Sequence, residues 1–254
     1  MIELHEDIHR GIAFLEAVPA GARDRELPVL FVLHSFGVSK ELVAYFGLMG
    51  ARRGMRVILP EAPGHGARVI PDPADRALHF WDILCDYVDE LATLREGLLP
   101  RIGGGGVALA GTSMGAFAAL AATARHDFVT ATAAYMGTAY FRDAARTIFP
   151  PLRRWWPEQA GEHDAKLSRI ADYDPSDRLD TLSAKPLYLW HGARDDVVPA
   201  ADCLRLAADL TARGAADLRV EVDPDGGHRV TDAAARNGMD FLARALQRGQ
   251  FLDT

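Results

Sequence analysis

Two cysteines are few for 254 residues and cannot build a disulfide framework; Cys85 and Cys203 both fall among apolar neighbours at helical spacing, the setting of small buried hydrophobes. Long apolar runs are missing too. No stretch approaches the roughly eighteen unbroken apolar residues that a membrane helix needs, so no membrane association is expected. Positive charge is also short: 28 Lys and Arg against 35 Asp and Glu leave a formal net charge of −7. The chain as a whole therefore has no attraction for phosphate backbones, and nucleic acid is not an expected partner. The opening residues Met1-Ile2-Glu3-Leu4-His5-Glu6-Asp7 place acids where a secretory leader has basic residues ahead of an apolar run, so a cytoplasmic location is expected. His5, His9, His79, His126 and His163 are read as lacking ligand spacing, and with no Cys/His cluster no metal site is expected.

What is present is an ordinary globular balance, 49% apolar and 25% charged, in a length near the upper edge of what one hydrophobic core fills. A single domain over residues 1–254 is the expectation. Ile2 to Ile8 and Gly11 to Val18 read as a short antiparallel pair. Val29 to Leu33, Arg56 to Leu59, Val107 to Ala110, Ala131 to Met136, Pro186 to Trp190 and Leu218 to Val222 read as further strands. The run Val29-Leu30-Phe31-Val32-Leu33 has no polar alternation, as a central strand covered on both faces requires. Helices are expected from Lys40 to Arg53, capped by Ser39 and stopped by Gly54, and from Ala74 to Leu98, where Leu78, Trp81, Leu84, Cys85, Val88 and Leu91 recur at steps of three and four. Others are expected from Ser113 to Arg125, around Ala201 to Arg213, and from Asp232 to Gln247. This alternation predicts the α/β class, with a mostly parallel central sheet and helices on both faces.

One stretch departs from the rhythm. Gly137 to Lys185 contains four prolines and the aromatics Tyr140, Phe141, Phe149, Trp155 and Trp156; it reads as a small helical cap inserted over one end of the sheet. Arg153-Arg154-Trp155-Trp156 has the look of a base-stacking patch, but in an acidic chain it reads instead as cap packing or an acyl-pocket wall. The G-x-x-x-x-G-T-S of Gly106 to Ser113 lacks the lysine a phosphate-binding loop needs, and Gly103 to Gly106, which precedes a strand, reads as a flexible connection.

The sharpest signal is Gly111-Thr112-Ser113-Met114-Gly115, where a buried strand passes directly into a helix. A serine on such a turn is pushed out at the end of the sheet, and the helix start offers backbone N–H groups to an oxyanion. A serine hydroxyl is a weak nucleophile and needs a base with an acid behind it. Two downstream strands end in suitable loops, one carrying Asp195 and Asp196, the other His228, so the chain order is Ser113, then Asp195 or Asp196, then His228.

Taken together with His34-Ser35-Phe36-Gly37, Pro63-Gly64-His65-Gly66 and His191-Gly192 to Val198-Pro199, these residues resemble the α/β-hydrolase superfamily. Within it the sequence is similar to small bacterial carboxylesterases related to dienelactone hydrolases and prolyl-oligopeptidase-type serine hydrolases. The resemblance spans nearly the whole chain. It implies the α/β-hydrolase fold and acyl transfer without a cofactor on a small-molecule ester with a small to medium acyl group. The family's nucleophile falls on Ser113, its acid, in H-G-x-x-D-x-x-V-P, on Asp195 with Asp196 as rival, and its base on His228; the oxyanion amides fall on Phe36 and Met114. Ser35 stands where the family commonly has glycine; if that position needs a positive φ, the serine is strained and the Phe36 amide misdirected. A peptidase or thioesterase of the same fold, or a non-catalytic binding protein that keeps it, are the alternatives.

Overall fold

The alternation of side chains along the central strands decides the layering, because neighbours on a strand point to opposite faces. In the computed structural model, which describes residues 1–148 and 160–250, Val29, Phe31 and Leu33 join an apolar cluster on one face of the sheet while Leu30 and Val32 join another on the opposite face. All five are fully buried, a contribution of about 1.5–3 kcal/mol for each side chain. The strands are β1 (Ile2–His9), β2 (Ile12–Pro19), β3 (Leu27–Leu33), β4 (Arg56–Pro60), β5 (Ile102–Thr112), β6 (Val129–Tyr135), β7 (Leu187–Gly192) and β8 (Leu218–Asp223). They form one eight-stranded sheet in the order β1-β2-β4-β3-β5-β6-β7-β8. β1 and β2 pair antiparallel and β2 runs antiparallel to β4; every later pair is parallel.

The helices are α1 (Ala44–Ala51), α2 (Pro73–Leu78), α3 (Phe80–Leu98), α4 (Met114–Arg125), α5 (Phe141–Ala144), α6 (Ala160–Tyr173), α7 (Leu179–Ser183), α8 (Ala200–Ala212) and α9 (Asp232–Gln250). α3 and α4 cover one face through Leu84, Val88, Leu91 and Phe117. α1 and α9 cover the other through Phe46, Met239 and Leu242. Cys85 and Cys203 are buried free thiols on α3 and α8, and burial pushes both up to about 12.

Several local expectations change. The helix from Ala74 divides into α2 and α3 at His79, whose backbone leaves helical geometry, and the one from Lys40 begins as a 3-10 turn over Lys40–Val43. Ser39 precedes that turn, but its hydroxyl bonds the Glu41 carboxylate instead of capping the backbone. Gly103 to Gly106, expected to be a connection ahead of the strand, falls within β5, at the register shift between the pairs Leu27–Ile102 and Val29–Val107 with β3. Contrary to the expectation of no ligand spacing, His5 to His9 spells H-E-x-x-H, but these residues form β1. Four residues of extended strand separate positions i and i+4 by about 13 Å. The two imidazoles cannot share an ion as they would one helical turn apart.

Of the stretch from 137 to 185, α5, α6 and α7 are described. α6 is tied to α3 by Lys166 and Arg169, which meet Asp82 at 3.1 and 3.3 Å, and by Arg169 to Asp86 at 2.5 Å. Phe149 and the Arg153-Arg154-Trp155-Trp156 run lie outside the described residues.

Candidate active site

The turn from β5 into α4 is forced by what its flanking residues lack. A Cβ on Gly111 would stand 2.0 Å from the Gly115 carbonyl oxygen, and one on Gly115 would stand 2.1 Å from the Leu33 carbonyl oxygen. Only glycine lets the start of α4 approach β5 and β3 that closely. Ser113, between them, is held at φ 52° and ψ −119°, a conformation an L-residue keeps only when its surroundings impose it. Its N–H donates to the Tyr135 carbonyl at 2.9 Å, which pins the turn to β6.

His228 follows β8, the edge strand of the sheet, and reaches this serine. Its Nε2 lies 2.9 Å from Ser113 Oγ and its Nδ1 2.8 Å from Asp195 Oδ2. The Asp195 side chain is fully buried, while His228 keeps 21% exposure. Asp195 Oδ1 accepts from the backbone N–H groups of Val197 and Val198, each at 2.9 Å, so both carboxylate oxygens are engaged and the carboxylate cannot rotate. Asp196 is exposed. His191, fully buried, donates from Nε2 to the Val198 carbonyl at 2.9 Å and stands 3.2 Å from Asp195 Oδ2, holding the acid loop closed; burial pushes its pKa down.

The loop after β3 carries Phe36, and Met114 opens α4, where the first N–H groups have no partner within the helix. The strain foreseen at Ser35 is absent, because the positive φ belongs to Gly37 at 79°. Ser35 instead donates to the Thr112 carbonyl at 3.1 Å and lies 2.9 Å from the Thr112 hydroxyl, which ties this loop to the residue before Ser113. Two buried imidazoles clamp the same loop to the one after β4. His34 Nδ1 donates to the Ser35 carbonyl at 2.8 Å and its Nε2 accepts from the Ala62 N–H at 3.0 Å. His65 donates from Nδ1 to the Pro63 carbonyl at 2.8 Å and accepts at Nε2 from the Gly37 N–H at 2.9 Å.

His34 and His65 stand in motifs that carry the family resemblance, whereas no motif points to Glu61. Glu61 is buried with Oε1 3.1 Å from His34 Nε2 and Oε2 3.5 Å from Lys40 Nζ. Burial works to raise its pKa, yet it is held below the usual carboxylate value, with the Lys40 ammonium among the groups that oppose burial. The only sequence signal was a carboxylate directly after an apolar strand.

His65 gives a pH prediction with a definite sign. Burial pushes its pKa from 6.5 down to about 4, so between those values the unfolded chain holds a proton that the folded chain refuses. Stability is complete above pH 6.5 and falls as the pH drops to 4, by about 3 kcal/mol from this group. Urea unfolding across that window should show a steeper loss for the native chain than for His65→Gln, whose amide does not titrate; equal slopes would contradict the assignment.

The described geometry has counterparts among known proteins. Residues 100–248, which contain Ser113, Asp195 and His228, match the model of the prolyl oligopeptidase family. The chain belongs to this family. The prolyl oligopeptidase match is joined by a full-length relative, esterase YjfP of Escherichia coli K12, 38% identical over 249 residues that cover 97% of this chain and all of that one. Among solved structures, TT1662 from Thermus thermophilus superposes with a TM-score of 0.76 at 23% identity, covering 97% of this chain and 99% of the other. The acylaminoacyl peptidase of Pyrococcus horikoshii superposes with a TM-score of 0.70 at 16% identity, and there 99% of this chain corresponds to 41% of that one. The fold is the α/β-hydrolase fold that the motifs led us to expect. Among the described residues, no helix is long and apolar enough to cross a membrane.

Proposed function

We propose that the protein is a serine carboxylesterase that cleaves small-molecule esters through an acyl-enzyme on Ser113. The observation that carries this reading is the unbroken hydrogen-bonded line from Ser113 Oγ through the His228 ring to Asp195. In the mechanism it supports, Ser113 Oγ attacks the ester carbonyl while His228 Nε2 takes the hydroxyl proton. Asp195 keeps the other ring proton on Nδ1 and stabilises the imidazolium as it forms. The backbone N–H groups of Phe36 and Met114 receive the oxyanion, and fixed donors of this kind contribute about 3–4 kcal/mol each. His228 then returns the proton to the departing alkoxide, and a water activated by the same ring releases the acid. The 21% exposure of His228 suits that second half, since water must reach Nε2.

The full-length likeness to an esterase favours an ester over an amide substrate. The family match keeps peptide-bond cleavage as a second reading. The test is a series of p-nitrophenyl esters from acetyl to long acyl chains beside aminoacyl p-nitroanilides, with labelling by a fluorophosphonate. Ester turnover with covalent labelling of Ser113 is the expected result. Turnover of the anilides alone would favour the peptidase, and folded protein that neither turns over nor labels would make it a binding protein.

A further inference from the structure

Helices that lie on a sheet ordinarily turn polar residues outward. Leu42, Tyr45, Leu48 and Met49 depart from this. Leu42, Tyr45 and Leu48 follow one another at steps of three from the 3-10 turn into α1, and Met49 stands four from Tyr45, so they share one side of it. Leu42 is 62% exposed, Leu48 46% and Tyr45 37%, although all are large and apolar. Scattered exposed hydrophobes need no explanation, but a contiguous stripe of them marks a binding surface.

The stripe shares a cavity with His228. This cavity, of about 520 Å³, is lined by His228, Thr112 and Val230 together with Leu42, Val43 and Tyr45. Tyr45 also lines a second cavity of about 640 Å³, bounded by Leu48, Met49, Met1, Ile2 and Pro19. The two share Tyr45 as a common wall, so apolar lining follows α1 as a trough from beside His228 to Leu48 and Met49. From Leu42 to Arg52 at its far end the helix rises about 15 Å. Charge does not set its preference: Arg229 and Asp232 at the inner end are of opposite sign.

We infer that the ester cleaved here carries a long unbranched aliphatic chain on its alcohol, laid along this trough; the inference rests on the esterase reading above. The alcohol side is assigned because the inner wall is His228 and the residues directly after it, and His228 is the group that hands the proton to the leaving oxygen. Two other occupants fit the stripe less well. A second copy seated on Leu42 and Tyr45 would roof the cavity that opens on His228, and an anionic membrane surface would meet a chain of net charge −7.

The test is hydrolysis of acetate esters of linear alcohols from ethyl to dodecyl, each below its micellar concentration, beside p-nitrophenyl esters of linear acids. Burial of successive methylenes along the trough should raise kcat/KM about tenfold or more from the ethyl to the dodecyl ester. Leu48→Glu, an exposed position whose change leaves the core intact, should flatten that rise. Ethyl acetate turned over as fast as dodecyl acetate would overturn the inference, as would a gain with acyl length alone. So would a dimer in solution that Leu48→Glu dissociates. Failure of every ester, with no fluorophosphonate labelling, would instead remove the esterase reading itself.

Discussion

Ser113→Ala is expected to lower kcat on the most rapidly cleaved p-nitrophenyl ester by a factor on the order of 10⁶. The hydroxyl is the one group in the proposed mechanism that forms a bond to the substrate, and no neighbour can replace it. The hydroxyls of Ser35 and of Thr112, the residue before Ser113, are bonded to each other. Binding should change little, because the Phe36 and Met114 amides stay in place, so the loss belongs to kcat and not to KM. The variant should fold, since Ser113 is held by its backbone: its N–H reaches the Tyr135 carbonyl and its own carbonyl accepts from the Ala116 and Phe117 N–H groups. Steady-state kinetics with fluorophosphonate labelling checks this. An alanine variant that retains more than about 1% of the activity would place the nucleophile elsewhere.

Asp195→Asn should cost about 10⁴ in kcat with KM nearly kept, and the hydrogen bonds around it say why. Asp195 Oδ1 accepts from the Val197 and Val198 N–H groups, so in the amide the oxygen stays there and the nitrogen turns toward His228 Nδ1. A donor at that position forces the ring to carry its proton on Nε2. That is the nitrogen 2.9 Å from Ser113 Oγ, and once protonated it can no longer take the serine proton. The chain would keep its fold and its oxyanion donors while losing its base. An undiminished rate would move the acid to Asp196 or to another carboxylate.

The parts of this site that were legible are those whose reason is local. The glycines at 111 and 115 and the buried strand ahead of Ser113 announce a serine on a sharp turn, because the contacts that exclude a Cβ there involve the adjoining strand and helix. The run from Val29 to Leu33 likewise announces a strand covered on both faces, and it is one. Where the reading failed, the competing cause lay far along the chain. Gly103 to Gly106 reads as loose on its own, but Ile102 and Val107 on either side pair with β3, some seventy-five residues earlier, so the glycines fall within β5. Ser35 looks strained in the family's pattern until Gly37 takes the positive φ and Thr112, 77 residues on, takes its hydroxyl.

The sequence by itself determined the class of fold, the position of the exposed serine and the order in which serine, acid and base follow one another, because periodicity and steric exclusion act over a few residues. Tertiary structure alone decided that Asp195 and not Asp196 faces His228 across 33 residues, that His228 meets Ser113 across 115, and that His34, His65 and Glu61 clamp the loop bearing Phe36. Those choices depend on which side chains the eight-stranded sheet brings to one end of its parallel strands, and that is set by strand order, which no local pattern encodes.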